Sequence, residues 1–581
     1  MVLTTRTCDP QVRERVPMRF KIVILASALA ISASGATVAQ TIDRPVIEPS
    51  PNERSIYGVY LAGREAARTG EGRTGAALLA VAADAAPDDG EIRQQAFAAA
   101  IFDGDVSEAA RLAPEGGALP ATTVDLGRVT RAVAAIDRGQ GALALKALET
   151  PVTPIHQPAA LSLKPFALAQ AGRWSEALTP QDTGGDRLKS FLDRMDRAAL
   201  LEAHGRRDDA EALYRELIAE PAGATFVEIP YAEFLERGGK WDGAAAMLGE
   251  VIRSGGGDPA ITVAYQKAQA RGVAPLAPRL SQSPGRSLYV VAAVLSAQKQ
   301  SELALIYARL ALALDPTLDR AWIVAGDCLA SSGAEAVARA SFEKVTERSP
   351  YYAEARTRIA YSYQRSGDLK AAVGTMRALL QARPGVLPIL YVYADLLRSS
   401  GDFGQASIVL DQVVAGGGSR DWRVLYMRAL TRDRLGRWSE AEADLRQALS
   451  LSPNQPEVLN YLGFSLVDRR EDVKGGTSLI ERAVAAQPKS GAMQDSLAWA
   501  YYRAGDYPKA VELLEGAVGL DAADPAINDH LGDAYWMVGK KAEARYQWIR
   551  VLSLAPEERL RTLAEAKIKN GLLGQNQASA R

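Results

Sequence analysis

A small residue recurs from position 300 onward at a nearly constant interval, and this period constrains the fold more than anything else in the chain. Ala304, Ala338, Ala372, Ala406, Ala441, Gly476, Ala510 and Ala544 are separated by 34, 34, 34, 35, 35, 34 and 34 residues. Other positions keep fixed offsets from that anchor. A proline follows twelve residues later at Pro316, Pro350, Pro384, Pro453 and Pro556. Small or apolar pairs precede it, among them Ile359-Ala360, Leu462-Gly463, Leu497-Ala498 and Leu531-Gly532. A period of this length is the mark of a repeat architecture built from one supersecondary unit. The pattern predicts a helix–turn–helix unit. Small side chains sit where two helix axes approach, with Gly532 expected to face Ala544, and Leu531, Tyr535 and Trp548 fill the gap at helical spacing. Gly505 and Gly539 fall at the turns, where a positive φ carries no steric penalty. The proline stops the second helix because it lacks an amide hydrogen. One helical pair cannot cover its own apolar face, so neighbours must stack. The fold class expected is all-α, an α-solenoid of stacked helix–turn–helix repeats.

The same rhythm continues upstream in weaker form. Ala76, Ala109, Ala142, Ala177, Ala210 and Ala244 are 33, 33, 35, 33 and 34 residues apart, which predicts six degenerate hairpins between about residues 55 and 258. The interval from Ala244 to Ala304 is 60, so the register breaks there. Within it, Gly272–Gly285 is rich in Pro, Ser and Gly and cannot be continuous helix. The domain reading is therefore degenerate repeats over 54–270, a joint over 271–285 and a well-matched array over 286–556. A polar capping helix over 557–570 and a disordered tail over 571–581 complete it. The alternative for 271–285 is an ordered loop draped into the groove.

The N-terminus has the layout of an export signal. Met18-Arg-Phe-Lys21 is basic, Ile22–Ile31 is apolar, and the exit is small-residue, with Thr37 and Ala39 at the −3 and −1 positions. This predicts a signal peptide over 1–39, cut before Gln40, then an unstructured leader over 40–53. The apolar run is shorter than a bilayer span, and no later stretch is long and apolar enough to cross one. The alternative is an uncleaved anchor. No cysteine stands near residue 40, as a lipoprotein would require. These features place the mature chain in the periplasm, peripheral to the outer membrane at most through a partner.

Composition excludes several functional classes. Lys and Arg total 68 against 69 Asp and Glu, for a net charge of −1, without the basic surplus of a nucleic-acid binder. Two cysteines, Cys8 and Cys328, and three histidines, His156, His204 and His530, leave no metal-ligand set and no basis for a cofactor. Cys328, mid-helix, reads as a buried inert thiol. The glycine clusters at 255–257 and 416–418 lack the strand–loop–helix context of a phosphate loop. No acid/base pair or nucleophile motif supports an enzyme.

Function then rests on the wall formed by the first helix of each pair. Inward positions in the last three units are Asn460, Tyr461, Phe464 and Asp468; then Asp495, Trp499, Tyr502 and Arg503; then Asp529, His530, Asp533 and Trp536. In the middle units they are Arg358, Tyr361, Arg365, Tyr391, Arg398, Tyr426 and Arg434. Rings interleaved with carboxylates and guanidinium groups suit a protein or peptide partner. The competing reading is that some rings pack between adjacent repeats.

The pattern resembles the tetratricopeptide repeat (TPR), in register over eight units, which implies a right-handed TPR superhelix with the first helix of each pair lining the inside of its groove. The run Asn460-Tyr-Leu-Gly-Phe-Ser-Leu-Val-Asp468, with Asp495–Arg503 and Ile527–Trp536, resembles the C-terminal signature of exported bacterial TPR proteins. That group includes the adaptor lipoprotein of a periplasmic carboxyl-terminal processing protease. The resemblance is strong over 450–556 and loose upstream. It implies a non-enzymatic periplasmic scaffold or adaptor whose partners are a protease or its substrates. The Lys and Asn clamp that chaperone-associated TPR domains use for C-terminal carboxylates is absent, since acids and Trp499 hold those positions. A second functional reading is an accessory TPR component of polysaccharide or peptidoglycan synthesis or export.

Overall fold

The computed structural model describes residues 55–572, except 70, 117–118, 221–222 and 256. The signal and leader segments and the tail beyond 572 lie outside the described residues. The chain divides into two compact units, Met1–Ser366 and Gly367–Arg581. Its described secondary structure is helical throughout, without strands among the described residues.

The first unit begins with six hairpins. They are α1 (Ile56–Arg68) with α2 (Gly72–Ala85), α3 (Gly90–Asp103) with α4 (Val106–Leu112), and α5 (Ala121–Asp137) with α6 (Gly141–Ala147). Then come α7 (Gln157–Gln170) with α8 (Trp174–Ala177), α9 (Arg187–Ala203) with α10 (Arg207–Ile218), and α11 (Ala224–Arg237) with α12 (Trp241–Arg253). A single helix, α13 (Pro259–Gln269), packs on α11 and α12. After it come α14 (Ser283–Ala297) with α15 (Ser301–Leu314), α16 (Asp319–Ser331) with α17 (Glu335–Phe342), and α18 (Tyr352–Arg365). The second unit starts at α19 (Leu369–Ala382) and continues as α20 (Leu387–Ser399) with α21 (Phe403–Ala415), and α22 (Trp422–Arg434) with α23 (Trp438–Leu451). It ends with α24 (Pro456–Asp468) and α25 (Val473–Ala486), α26 (Gly491–Ala504) and α27 (Tyr507–Leu520), α28 (Pro525–Met537) and α29 (Lys541–Ser553), and the last helix α30 (Glu558–Asn570).

The anchors sit on second helices and are buried, from Ala109 at 0 % exposure to Ala76 at 9 %. Ala142 is the exception. It is exposed, and its neighbour Gly141 makes the close approach, where a β-carbon would lie 2.3 Å from the carbonyl oxygen of Ala167. The reason for Gly532 also differs from the sequence reading. A β-carbon there would meet not Ala544 but the indole of Trp548, 2.4 Å from Nε1. Gly326 does the same for Phe342, at 2.3 Å from its ring. In both cases the glycine precedes the ring by sixteen residues and opens a slot for it.

The two units bury their apolar residues differently. In the second, separate clusters follow one another along the chain, as expected where each hairpin touches only its neighbours. In the first, one large core joins residues between Val59 and Ile359, with two smaller clusters, one over Ala198–Ala268 and one around Phe166. The cause is α14 and α15, which pack back across the first helices of upstream hairpins: α14 on α7 and α9, α15 on α3 and α5. The contact is polar as well as apolar. Tyr307 Oη and Nδ1 of His156 are 2.6 Å apart, Ser287 donates to Asp196, and Arg286 pairs with Glu233 at 2.7 Å. A hairpin of its own chain thus covers the inward face of these early repeats. Residues 271–285 lie inside this unit rather than at the division, which falls at Ser366–Gly367. Leu280 packs against the Phe166, Leu168 and Leu200 cluster, and α14 is already under way at Ser283.

Candidate functional site

The first helices α20, α22, α24, α26 and α28 carry most of the sequence-predicted face. Each is held in place locally. Asp524 accepts from the amides of Ala526 and Ile527 at the start of α28, and Ser490 from that of Met493 at the start of α26. Neighbouring first helices are joined side by side by rungs in which an acid of one repeat meets a donor of the next. Asp433 accepts from Tyr461 Oη at 2.7 Å and from Arg469 at 2.6 Å. Asp468 accepts from Trp499 Nε1 at 3.2 Å, and its carbonyl oxygen from Arg503 at 2.6 Å. Asp495 pairs with Nδ1 of His530 at 2.8 Å. Asp529 and Asp533 pair with Lys567 of α30 at 2.7 and 2.8 Å. In the first unit Asp327 takes Arg358 in the same way at 2.8 Å, while Glu335, at the start of the second helix α17, takes Arg365 at 2.6 Å.

These rungs correct part of the sequence reading. Asp495, Tyr502, Asp529 and Asp533 are buried, 6–8 % exposed, and do not line an open wall. Counting positions within one repeat marks them as inward, but the next helix in the row lies beside them, His530 taking Asp495 and Lys567 of α30 taking Asp529 and Asp533. Trp499 is stacked between Tyr502 at 4.7 Å and His530 at 4.3 Å, measured between ring centroids. Trp536 leans on Trp548 and on Gly571, where a β-carbon would lie 2.1 Å from its ring.

The charges in this cluster respond to their surroundings. Burial opposes protonation of His530, but Asp495, with Asp529 and Asp533, holds its imidazolium at a pKa of about 9. Burial drives the Asp533 carboxyl up, and Lys567 acts against it. Burial and the bond to Asp433 push the Tyr461 phenol up. The lysine on α30 reproduces the role that His530 plays one repeat earlier, so the last helix docks as a substitute for a further first helix.

What remains accessible is narrower. Tyr426, Tyr461 and Phe464 are half-buried, with Tyr426 and Tyr461 edge to face at 6.2 Å. Asp468 and Arg434 are exposed. Asn460 is half-buried and its Oδ1 has no hydrogen-bond partner, as have Nε of Arg398 and Nε of Arg503. Arg398 otherwise pairs with Asp395 at 3.0 Å, and Tyr361 and Tyr391 are half-buried. Elsewhere Cys328 is 4 % exposed, and burial raises its thiol to about 11. Among the described residues no group of His, Cys, Asp and Glu could hold a metal ion, and no helix is long and apolar enough to cross a membrane.

Helical hairpins stacked in this way, with partner-type side chains on the first helices, define an α-solenoid interaction scaffold. The tetratricopeptide-repeat family model matches residues 391–456, 426–491, 469–526 and 496–558, so the chain carries TPR repeats through most of its second unit. A TPR repeat-containing protein of Pseudomonas aeruginosa is 30 % identical over 113 residues, and the match covers 19 % of each chain. Among solved structures, a tetratricopeptide repeat protein of Parabacteroides merdae is 15 % identical, covering 43 % of this chain and 97 % of its own, with a TM-score of 0.38. The Cut9–Hcn1 hetero-tetramer of the APC/C is 15 % identical over 90 % of this chain and 97 % of its own, with a TM-score of 0.37.

Proposed function

We propose that the protein is an exported TPR scaffold that holds a protein segment on the first-helix face around Tyr426, Asn460 and Phe464, and that it serves as an adaptor for a processing protease. The observation that carries the binding reading is the set of half-buried rings Tyr426, Tyr461 and Phe464 on neighbouring first helices, with Asp468 and Arg434 exposed on the same helices. Partly exposed aromatic side chains accompanied by charged groups supply apolar contact area and register together. Export is supported by the basic, apolar and small-residue order of residues 18–40. The protease-adaptor reading is supported by the signature over 460–468, 495–503 and 527–536.

The test is affinity capture from a periplasmic extract with the wild type and an Asn460→Ala/Phe464→Ala variant whose helicity matches it by circular dichroism. Wild type should retain a partner that the variant loses, and an active-site serine probe should label a protease in the retained fraction. Identical recovery by both proteins refutes the face. Retention without a labelled protease refutes the adaptor role alone.

A further inference from the structure

Helix α15 from Leu303 to Leu314 is apolar at every position except Arg309. A helix without a polar face belongs inside a core, and this one is inside. Arg309 is buried with it, at 7 % exposure. Among the described residues it makes no ion pair or hydrogen bond, and its Nε is enclosed without a partner. Asp103, whose charge acts on it, lies instead 4.0 Å from Arg73. Long charged side chains are almost never this buried unless paired. A methionine would fill the same space without the desolvation cost.

The guanidinium borders a cavity of about 870 Å³ within the first unit. The size suits a small-molecule ligand, for which pockets run roughly 300–1,000 Å³. One wall carries the Trp322 ring, its centroid 5.8 Å from the guanidinium carbon. Another is backbone at Gly104, where a β-carbon would press within 3.3 Å of Arg309 Cδ. Leu312, Val337, Ala77 and Ala340 supply apolar lining, Arg73, Asp103, Asp105, Glu108, Asp137 and Lys344 charged lining, and the exposure of both alanines shows the cavity open to solvent.

We infer that this cavity binds an amphiphilic carboxylate: one carboxylate paired with Arg309, on an apolar body lying against Trp322 and Leu312. A guanidinium presents two parallel donors that match a carboxylate, and the burial of Arg309 strengthens the pair. The acids Asp103, Asp105, Glu108 and Asp137 outnumber the cations Arg73, Arg309 and Lys344 in the lining. This excess of negative charge opposes a dianion more than a monoanion, which favours the carboxylate over a phosphate monoester. This site stands independently of the partner face on the second unit.

The test is calorimetric titration of the full chain with decanoate, 1-decanol and decyl phosphate, each below its aggregation limit. Decanoate is expected to bind at one site, decanol and decyl phosphate more weakly. Arg309→Met should weaken decanoate by about tenfold or more. Ala340→Trp places an indole at the open side of the cavity while leaving Arg309 in place, and it should weaken binding even where Arg309→Met fails to fold. Equal binding of decanoate and decanol overturns the inference. So does undiminished decanoate binding by a folded Arg309→Met or by Ala340→Trp, and so does uptake that never saturates at one equivalent.

Discussion

Gly532→Ala probes the close approach inside a repeat. The added β-carbon would lie 2.4 Å from Nε1 and 2.6 Å from Cδ1 of Trp548, about 1 Å inside ordinary contact. Trp548 is 0 % exposed and cannot swing into solvent. Its Nε1 donates to Oδ1 of Asp533 at 3.1 Å, so retreat of the ring also strains a hydrogen bond to a buried carboxylate. Overpacking costs about 1–3 kcal/mol and the weakened bond about 1.5–3 kcal/mol, while alanine in a helix returns about 1 kcal/mol. The expected net loss is about 1.5–5 kcal/mol, concentrated in α28 to α30 because repeats are coupled mainly to neighbours. Gly516→Ala is the control: it is also mid-helix, but a β-carbon there meets nothing within 4 Å. That change should stabilise by up to about 1 kcal/mol. Urea unfolding followed by circular dichroism gives the stabilities, and amide hydrogen exchange locates the loss. If Gly532→Ala proves as stable as Gly516→Ala, the slot argument is wrong.

Two further predictions concern buried titrating groups. His530 holds its proton to about pH 9 beside Asp495, against an ordinary 6.5, so its contribution of about 3 kcal/mol is complete below pH 6.5 and disappears as pH rises through 9. Exchange protection of α26 and α28 should fall over that window, and His530→Phe should remove the pH dependence. Burial raises the Asp196 carboxyl to about 8, with Ser287 and Ser162 opposing, so the native state keeps a proton that the unfolded chain releases near 3.8. Stability of the first unit should therefore decline from about pH 4 to pH 8. Asp196→Asn should flatten that slope when melting temperature is followed across pH, and an unchanged slope would assign it elsewhere.

The period of small residues was enough to read the hairpins, because close helix approach punishes a large side chain wherever it recurs. It placed Ala109, Ala177, Ala210 and Ala244 on buried second-helix positions even where the motif is degenerate. It misassigned Ala142 by one residue, since Gly141 next to it is equally small. The first-helix residues were legible as a set, but their fates were not. Asn460 and Asp495 hold the same position of successive repeats, yet one is half-buried with its Oδ1 unpaired and the other is buried against His530. The difference depends on a neighbour some 30 residues away, beyond what spacing within a repeat encodes.

Helix α15 marks the boundary between the two kinds of information. Its uninterrupted apolar surface and the 60-residue break before Ala304 are written in the sequence, and together they say that something must cover this helix on all sides. They do not say what. Tertiary structure decided that the cover is α3 and α5 and that Arg309 ends beside a cavity without a partner. It decided likewise that the last rung is closed by Lys567. Local periodicity fixes which side chains leave water, because each helix has only one or a few dry faces. Which dry face meets which is a choice among compact arrangements, settled by long-range packing.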